Sequence, residues 1–234
     1  MKISAFFPAH NEEANVESLT RKLVKVLSEN CTEFEVIIVN DGSKDKTKEI
    51  SEKLAAEDKR VKVINHEVNR GYGGAVKSGL YAAKLDWVFF TDGDNQFDVS
   101  EIPVLIKMTD KYDFVTGYRM KRQDPPHRIL NAFMWGTLVK LLLGFRVKDV
   151  DCAFKLFKKE IVERTQPEAE GALISTELLA KATKLGYKIG EVGVHHYPRT
   201  AGTQTGAKLK VILRAFKELF KFYGKMKKWG KTGS

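Results

Sequence analysis

The sequence predicts an α/β fold, a mainly parallel sheet flanked by helices, and three observations predict it. Short apolar runs rich in β-branched and aromatic residues alternate with stretches whose apolar residues recur at helical spacing. Polar clusters follow those runs at Pro8–Glu12, Asn40–Ser43 and Asp92–Gln96, where a parallel sheet presents its ligand-binding edge. The length of 234 residues, 43% hydrophobic and 30% charged, suits one domain with a full core, and no internal repeat is visible. We divide the chain into that single domain, residues 1–207, and a C-terminal amphipathic helix, residues 208–234.

In chain order, Lys2–Phe7 is an apolar run ending at Pro8 and reads as a first, buried strand. Val16, Leu19, Leu23, Val26 and Leu27 mark the inner face of a first helix. Phe34–Val39 is a second strand, stopped by Asn40-Asp41-Gly42-Ser43. Ser43 or Asp45 can cap a helix through about Glu57, with Ile50 and Leu54 inward. Val61–Asn65 is a third strand, Gly71–Leu85 a glycine-opened helix, and Trp87–Thr91 a fourth strand that delivers Asp92 at its end. Phe114–Gly117 continues the strand pattern, and Met120–Arg128, with Pro125-Pro126, reads as a loop. Arg128–Phe145 is an apolar helix, Cys152–Phe157 a strand, Leu173–Leu185 a helix and Lys188–His195 a last strand. Pro198–Gly206 is a glycine- and threonine-rich loop, and a long basic helix follows.

Charge is unevenly placed. From Lys208 onward there are nine basic residues and one acid, Glu218, so this short tail holds +8 of the chain's +10. Leu209, Ile212, Leu213, Phe216, Leu219, Phe220 and Tyr223 recur there at helical spacing. A basic helix with an apolar face suits an anionic membrane surface. Nucleic acid is excluded as partner, because residues 1–207 are nearly neutral. No apolar run reaches transmembrane length: Asn131 and Lys140 interrupt the nearest, Ile129 to Phe145. Two distant cysteines, Cys31 and Cys152, give no disulfide framework, and the expected setting is the reducing cytoplasm, peripherally on a membrane's cytoplasmic face.

Asp92-Gly93-Asp94 sets two carboxylates two residues apart at a strand end. Such a pair can hold a hard divalent cation, and Gln96 can add an amide oxygen. Taken alone the tripeptide reads more readily as a common polar turn. Arg70-Gly71-Tyr72-Gly73-Gly74 offers backbone amides at a helix start, suited either to an anion or simply to a close turn. Its spacing departs from a dinucleotide fingerprint. Lys77, one turn on, reads as a solvated helix residue. His195-His196 has no His or Cys partners at zinc spacing.

Taken in order and with their gaps, several segments resemble the family 2 glycosyltransferases of the GT-A fold. Within them the chain is most similar to the dolichyl-phosphate mannose synthase and polyprenyl-phosphate glycosyltransferase branch. The segments are Phe7-Pro8-Ala9-His10-Asn11-Glu12-Glu13, Val39-Asn40-Asp41-Gly42-Ser43-Lys44-Asp45-Lys46-Thr47, Asn69-Arg70-Gly71-Tyr72-Gly73-Gly74-Ala75 and Asp92-Gly93-Asp94-Asn95-Gln96. Gly117-Tyr118-Arg119 and Asp149-Val150-Asp151-Cys152-Ala153-Phe154-Lys155-Leu156-Phe157 extend the likeness, which covers about residues 3–205.

The resemblance implies that Pro8, Ala9, Asn11, Glu12, Val39 and Asp41 hold the base and ribose of a nucleotide-sugar donor. Asn40 stands where the family usually has Asp. Asp92, Asp94 and Gln96 are the implied ligands of Mg2+ or Mn2+, with Gly93 and Arg70 beside the donor. Arg119 would bind either the diphosphate or the acceptor phosphate, and Arg199 would reach phosphate as the site closes. Asp151 is either the base for a sugar hydroxyl or, for an anionic acceptor, a positioning group. Glu177 would touch the sugar or occupy an exposed helix face, and Lys181 would reach a phosphate or pair with Glu177. The implied reaction is inverting transfer of a hexose from a GDP-mannose or UDP-glucose type donor to a polyprenyl or dolichyl phosphate. A separate membrane subunit is a further implied partner, since members of this branch often carry transmembrane helices. Two alternatives remain: transfer to a saccharide hydroxyl with Asp151 as base, and a catalytically inactive nucleotide-sugar-binding module held to membranes by the tail.

Overall fold

Strand β1 (Lys2–Ala9) is the axis of the sheet, and burial of Ile3, Ala5, Phe6 and Phe7 on alternate faces explains its unbroken apolar sequence. The structure, a computed structural model, describes residues 1–120, 126–145, 147–169, 171–199 and 209–229, without the side chains of residues 126–133, 209–215 and 217. After β1 the chain alternates through α1 (Val16–Asn30), β2 (Glu33–Asp41), α2 (Thr47–Glu57), β3 (Val61–His66), α3 (Gly71–Ala82) and β4 (Trp87–Thr91). These four strands are parallel. Helix α1 buries Val16, Leu19, Thr20, Leu23 and Leu27, the expected stripe apart from the half-buried Val26 and the added Thr20.

A short 3-10 turn then leads into α4 (Ile102–Met108), β5 (Phe114–Met120), α5 (Pro126–Leu143), β6 (Phe154–Lys158), α6 (Lys159–Thr165), α7 (Ile174–Lys184), β7 (Ile189–His195) and α8 (Leu209–Lys228). The seven strands stand in the order β3-β2-β1-β4-β6-β5-β7. β6 runs antiparallel to both β4 and β5, while β7 pairs parallel to β5. Aromatic side chains fill the seam: Phe6 stacks on Phe90 at 5.0 Å, Phe89 meets Phe154 edge-on at 4.9 Å, and Phe114 stacks on Phe157 at 4.8 Å. Each such ring contributes about 1.5–3 kcal/mol by leaving water.

Several elements differ in extent from expectation. The strand expected from Cys152 begins at Phe154, because the backbone at 149–152 is still turning. The helix expected to reach Leu85 ends at Ala82, and helix α5 already starts at Pro126, where a proline costs no hydrogen bond. Residues 121–125 of the expected Met120–Arg128 loop, and all of the Pro198–Gly206 loop after Arg199, lie outside the described residues. Helices α4 and α6, of seven residues each, were not anticipated. The tail is a helix, but it is not free of the domain. Leu219, Phe222 and Met226 are buried, and Trp135 of α5 meets Phe216 edge-on at 5.2 Å. Phe220 lies outward, 56% exposed.

Candidate active site

Parallel strands β1, β2 and β4 end together, so their following turns form one cleft. Gly93 sits in the Asp92-Gly93-Asp94 turn because a Cβ there would lie 2.3 Å from the Pro8 carbonyl oxygen. The turn therefore packs directly on the end of β1. Asn95 holds the left-handed conformation that follows (φ 59), one that Asn tolerates better than most residues. Its side chain accepts from Lys22 at 3.2 Å, fastening the turn to α1.

The two carboxylates crowd one another in a poorly solvated place. Burial, then the neighbouring Asp94 charge, pushes the Asp92 carboxyl up to about 7. Burial also raises Asp94. The Tyr72 hydroxyl donates to Asp92 Oδ1 at 2.9 Å, and the Gln96 main-chain N–H donates to Asp94 Oδ1 at 3.2 Å. Arg199 lies across this group: it is paired with Glu12, and its second terminal nitrogen is 3.7 Å from Asp94 Oδ2. Glu12 also accepts from Asn15 at 2.7 Å, and burial raises its carboxyl too.

The loops after β1 and β2 are zipped together. Asn11, in a left-handed conformation (φ 56), donates its N–H to Ser43 Oγ and accepts from the Lys44 N–H at 2.8 Å. The Glu12 N–H donates to Thr47 Oγ1. Pro8 and Ala9 stand in register with Val39 and Asn40, so the β1 and β2 ends lie side by side. Asp41 is buried and accepts at Oδ1 from His66 Nδ1 (2.7 Å) and from the Arg70 main-chain N–H (2.8 Å). The Arg70 contact is thus made by backbone, and its side chain is exposed. Asn40, the departure from the family pattern, donates to Asn65 and accepts from the Ser43 N–H.

Gln96 is buried and spends its amide N–H on the Tyr197 carbonyl, while the Tyr197 N–H returns to the Gln96 carbonyl. A bridge between Phe97 and His196 extends that link. The segment bearing Arg199 is therefore attached to the carboxylate turn. Arg119, on β5, makes a two-point ion pair with Asp149. Burial works against its charge, but the Asp149 contact outweighs it and holds the guanidinium firmly protonated. Asp151 keeps solvent contact, yet burial and then the Asp149 charge raise its carboxyl, and it takes a hydrogen bond from the Trp135 side chain. Glu177 and Lys181 form a buried ion pair at 2.6 Å whose remaining bonds go to residues 165–169, not to the carboxylate cleft. His195 is held at the strand end by Glu101, through both its N–H and its ring at 2.7 Å. Lys77 is half-buried on α3.

Three participants escaped the sequence reading. His66 lies between Asp41 and Ser78 (2.7 and 2.9 Å), and only the parallel register with Asp41 could have flagged it. Tyr72 had no signal beyond its place among glycines. Lys155, fully buried in a strand, donates to the Val150 and Cys152 carbonyls and so shapes the turn that carries Asp151. Burial lowers its pKa, and only a lysine among strand residues hinted at it.

The cleft suits a divalent cation in one specific way. Among the described residues no cluster of three His, Cys, Asp or Glu side chains could enclose a metal. Asp92 and Asp94 would supply two ligands and leave the remainder to water or a substrate. A carboxyl that burial raises to about 7, and whose one hydrogen-bond partner among the described residues is a tyrosine hydroxyl, is a group that a dication would relieve.

This is the GT-A type of α/β architecture, with a polar cleft at the parallel strand ends. A family model described as glycosyl transferase family 2 matches residues 4–165, and the chain belongs to that family. The chain is 30% identical over 209 residues to glycosyltransferase AglD of Haloferax volcanii, covering 85% of this chain and 34% of that protein. It is 30% identical over 208 residues to dolichyl-phosphate beta-glucosyltransferase ALG5A of Trichomonas vaginalis, covering 82% and 64% respectively. The chain therefore spans less than two thirds of the length of either. Crystal structures of glucosyl-3-phosphoglycerate synthase from Mycobacterium tuberculosis share the fold. The complex with phosphoglyceric acid gives a TM-score of 0.75 at 23% identity, covering 95% of this chain and 80% of that one. The complex with Mn2+ and uridine-diphosphate-glucose gives 0.73 at 22%, covering 95% and 78%.

Proposed function

We propose that the chain transfers a hexose from a nucleoside-diphosphate sugar to a polyprenyl or dolichyl phosphate at a membrane surface, with inversion. The observation that carries this reading is the convergence of Asp41, Glu12, Asp92, Asp94 and Arg199 on one cleft at the strand ends. The printed names of relatives support it: one is a dolichyl-phosphate glucosyltransferase, and a structural neighbour was crystallised with Mn2+ and a UDP-sugar.

Asp41, Glu12, Asn11 and the strand ends at Pro8, Ala9 and Val39 would receive base and ribose, since carboxylates accept from ribose hydroxyls and base amino groups. Asp92 and Asp94, with Gln96 as third candidate, would hold Mg2+ or Mn2+ beside the donor's diphosphate. Such a cation offsets negative charge as the nucleoside diphosphate departs. Arg199 supplies a second positive group on that side. The acceptor's phosphate oxygen attacks the anomeric carbon as the bond from that carbon to the diphosphate oxygen breaks. One displacement inverts the centre. A phosphate acceptor is already an anion, so no base is required, and Asp151 positions rather than deprotonates. Arg119, fixed by Asp149, presents a rigid cation near that approach.

Among the described residues no helix is long and apolar enough to cross a membrane. Exposed Phe220 on α8, Met134 and Leu141 on α5, and the exposed Lys221, Lys225, Lys227 and Lys228 form the surface we assign to lipid headgroups. The deciding experiment pairs a panel of nucleotide sugars plus Mn2+ or Mg2+ with prenyl phosphates and free saccharides. Transfer to prenyl phosphate is expected. Transfer to saccharide alone, abolished by Asp151→Asn, would replace this reading with hydroxyl acceptor chemistry, which the exposure of Asp151 favours. Donor binding with no transfer to any acceptor would leave a binding module.

A further inference from the structure

We propose that Tyr72 is a positioning residue for the cation side of the donor site, and that Asn69–Tyr72 is a tie joining Asp41 to Asp92. The inference rests on the reading that Asp92 and Asp94 hold a divalent cation.

The two ends of this four-residue segment hold two different carboxylates. At one end the Arg70 N–H donates to Asp41 Oδ1 at 2.8 Å. At the other the Tyr72 hydroxyl donates to Asp92 Oδ1 at 2.9 Å. Asn69 braces the turn between them by accepting from the Gly71 N–H at 2.9 Å. The turn after β2 is in turn pressed against this segment, for a Cβ on Gly42 would lie 2.6 Å from the Asn69 nitrogen. The Tyr72 ring leans on Phe90 of β4, two residues before Asp92 in the turn that follows, with centroids 6.5 Å apart. Its hydroxyl thus reaches Asp92 from a ring seated on the strand that leads into it.

Among the described residues Tyr72 is the one group that hydrogen-bonds the Asp92 side chain. Occupying Oδ1, it fixes the carboxylate's rotation and leaves Oδ2 for a cation. A carboxylate ligand oriented by a neighbouring donor loses less freedom when it binds metal, and losing such a donor commonly weakens metal affinity at least tenfold. The segment also gives the nucleoside side and the cation side of the cleft a common support, so a shift in one is felt by the other.

The test is Tyr72→Phe, which removes one oxygen and keeps the ring on Phe90. Mn2+ binding is followed by electron paramagnetic resonance of the free ion, without donor or acceptor. Thermal unfolding of the metal-free protein checks the fold, and steady-state kinetics are run across Mn2+ and donor concentrations. We expect the Kd for Mn2+ to rise about tenfold, with the metal-free melting temperature unchanged. The apparent KM for Mn2+ should rise with it, while kcat at saturating metal and donor stays near wild type. Mn2+ binding equal to or tighter than wild type overturns the role of Tyr72. Equal loss of kcat at every metal concentration overturns it too. A wild-type protein that binds no Mn2+ instead sinks the metal assignment itself.

Discussion

Arg119 and Asp149 meet through two parallel contacts, Nε to Oδ2 at 2.7 Å and a terminal nitrogen to Oδ1 at 2.9 Å, with each side chain about 15% exposed. The pair crosses from β5 to the turn before β6. It fixes a guanidinium, which would otherwise sweep a wide volume, at one address beside Asp151. Removing Asp149 leaves the enclosed Arg119 guanidinium without its two-point partner. Asp149→Ala should cost about 3 kcal/mol of stability and lower transfer activity together. Chemical denaturation checks the first and initial rates the second. Unchanged stability would mean that the pair adds no net support.

The Asp92 carboxyl gives a pH dependence with a definite sign. In the unfolded chain it titrates near the ordinary value of about 3.9, and in the fold it is pushed up to about 7. Between those values the folded state binds the extra proton, so stability falls as pH rises through this window, and the cost is complete above about 7. A bound dication removes that cost by favouring the ionised form. Mn2+ should therefore raise the melting temperature more at pH 8 than at pH 5.5. A stabilisation independent of pH would contradict metal binding at Asp92.

Asp94→Asn keeps the shape of the turn and halves its charge. Transfer should fall by at least about a hundredfold, as expected when charge stabilisation at a leaving group is lost, and chelation by EDTA of the wild-type protein should match it. Substantial turnover in either condition removes the cation from the reaction.

Glu177 and Lys181 offer a sharper choice. Their mutual ion pair and their bonds to residues 165–169 describe a brace, which Lys184 continues by donating to the Met226 carbonyl at the end of α8. Glu177→Gln should lose about 3 kcal/mol of stability, because Lys181 stays buried without its counter-charge. The donor KM should not change. A selective rise in donor KM at full stability would return Glu177 to the sugar.

Membrane attachment is best tested without deleting α8, since Leu219, Phe222 and Met226 belong to the core. Lys221→Glu, Lys227→Glu and Lys228→Glu together alter only exposed positions. Each lysine near an anionic bilayer contributes about 1 kcal/mol. The triple variant should bind phosphatidylserine vesicles at least about tenfold more weakly in co-sedimentation. Unchanged binding would move the contact elsewhere.

The parallel half of the sheet was legible because strand, turn and helix alternate there with strong periodicity, from Phe6 to Thr91. The cleft was legible where polar turns follow strands, at Asn11, Asp41 and Asp92. The antiparallel insertion of β6 between β4 and β5 was not. Its strand reads apolar in either direction, and only pairing with Phe90 and Thr116 orients Lys155. The α4 and α6 helices span two turns, too short for a spacing pattern to separate from chance. His66 and Tyr72 acquire their roles from carboxylates 25 and 20 residues away, a distance that local chemistry does not bridge. The Glu177–Lys181 spacing allowed a surface pair, and tertiary packing turned it into a buried one.

The double link between Gln96 and Tyr197 makes a joint out of what the chain order keeps a hundred residues apart. The carboxylate turn and the backbone at Tyr197, two residues before Arg199, are held to each other by these two bonds. An engineer who redraws the residues beyond Arg199 would do well to keep Gln96 and the backbone of Tyr197 as fixed points of the redesign.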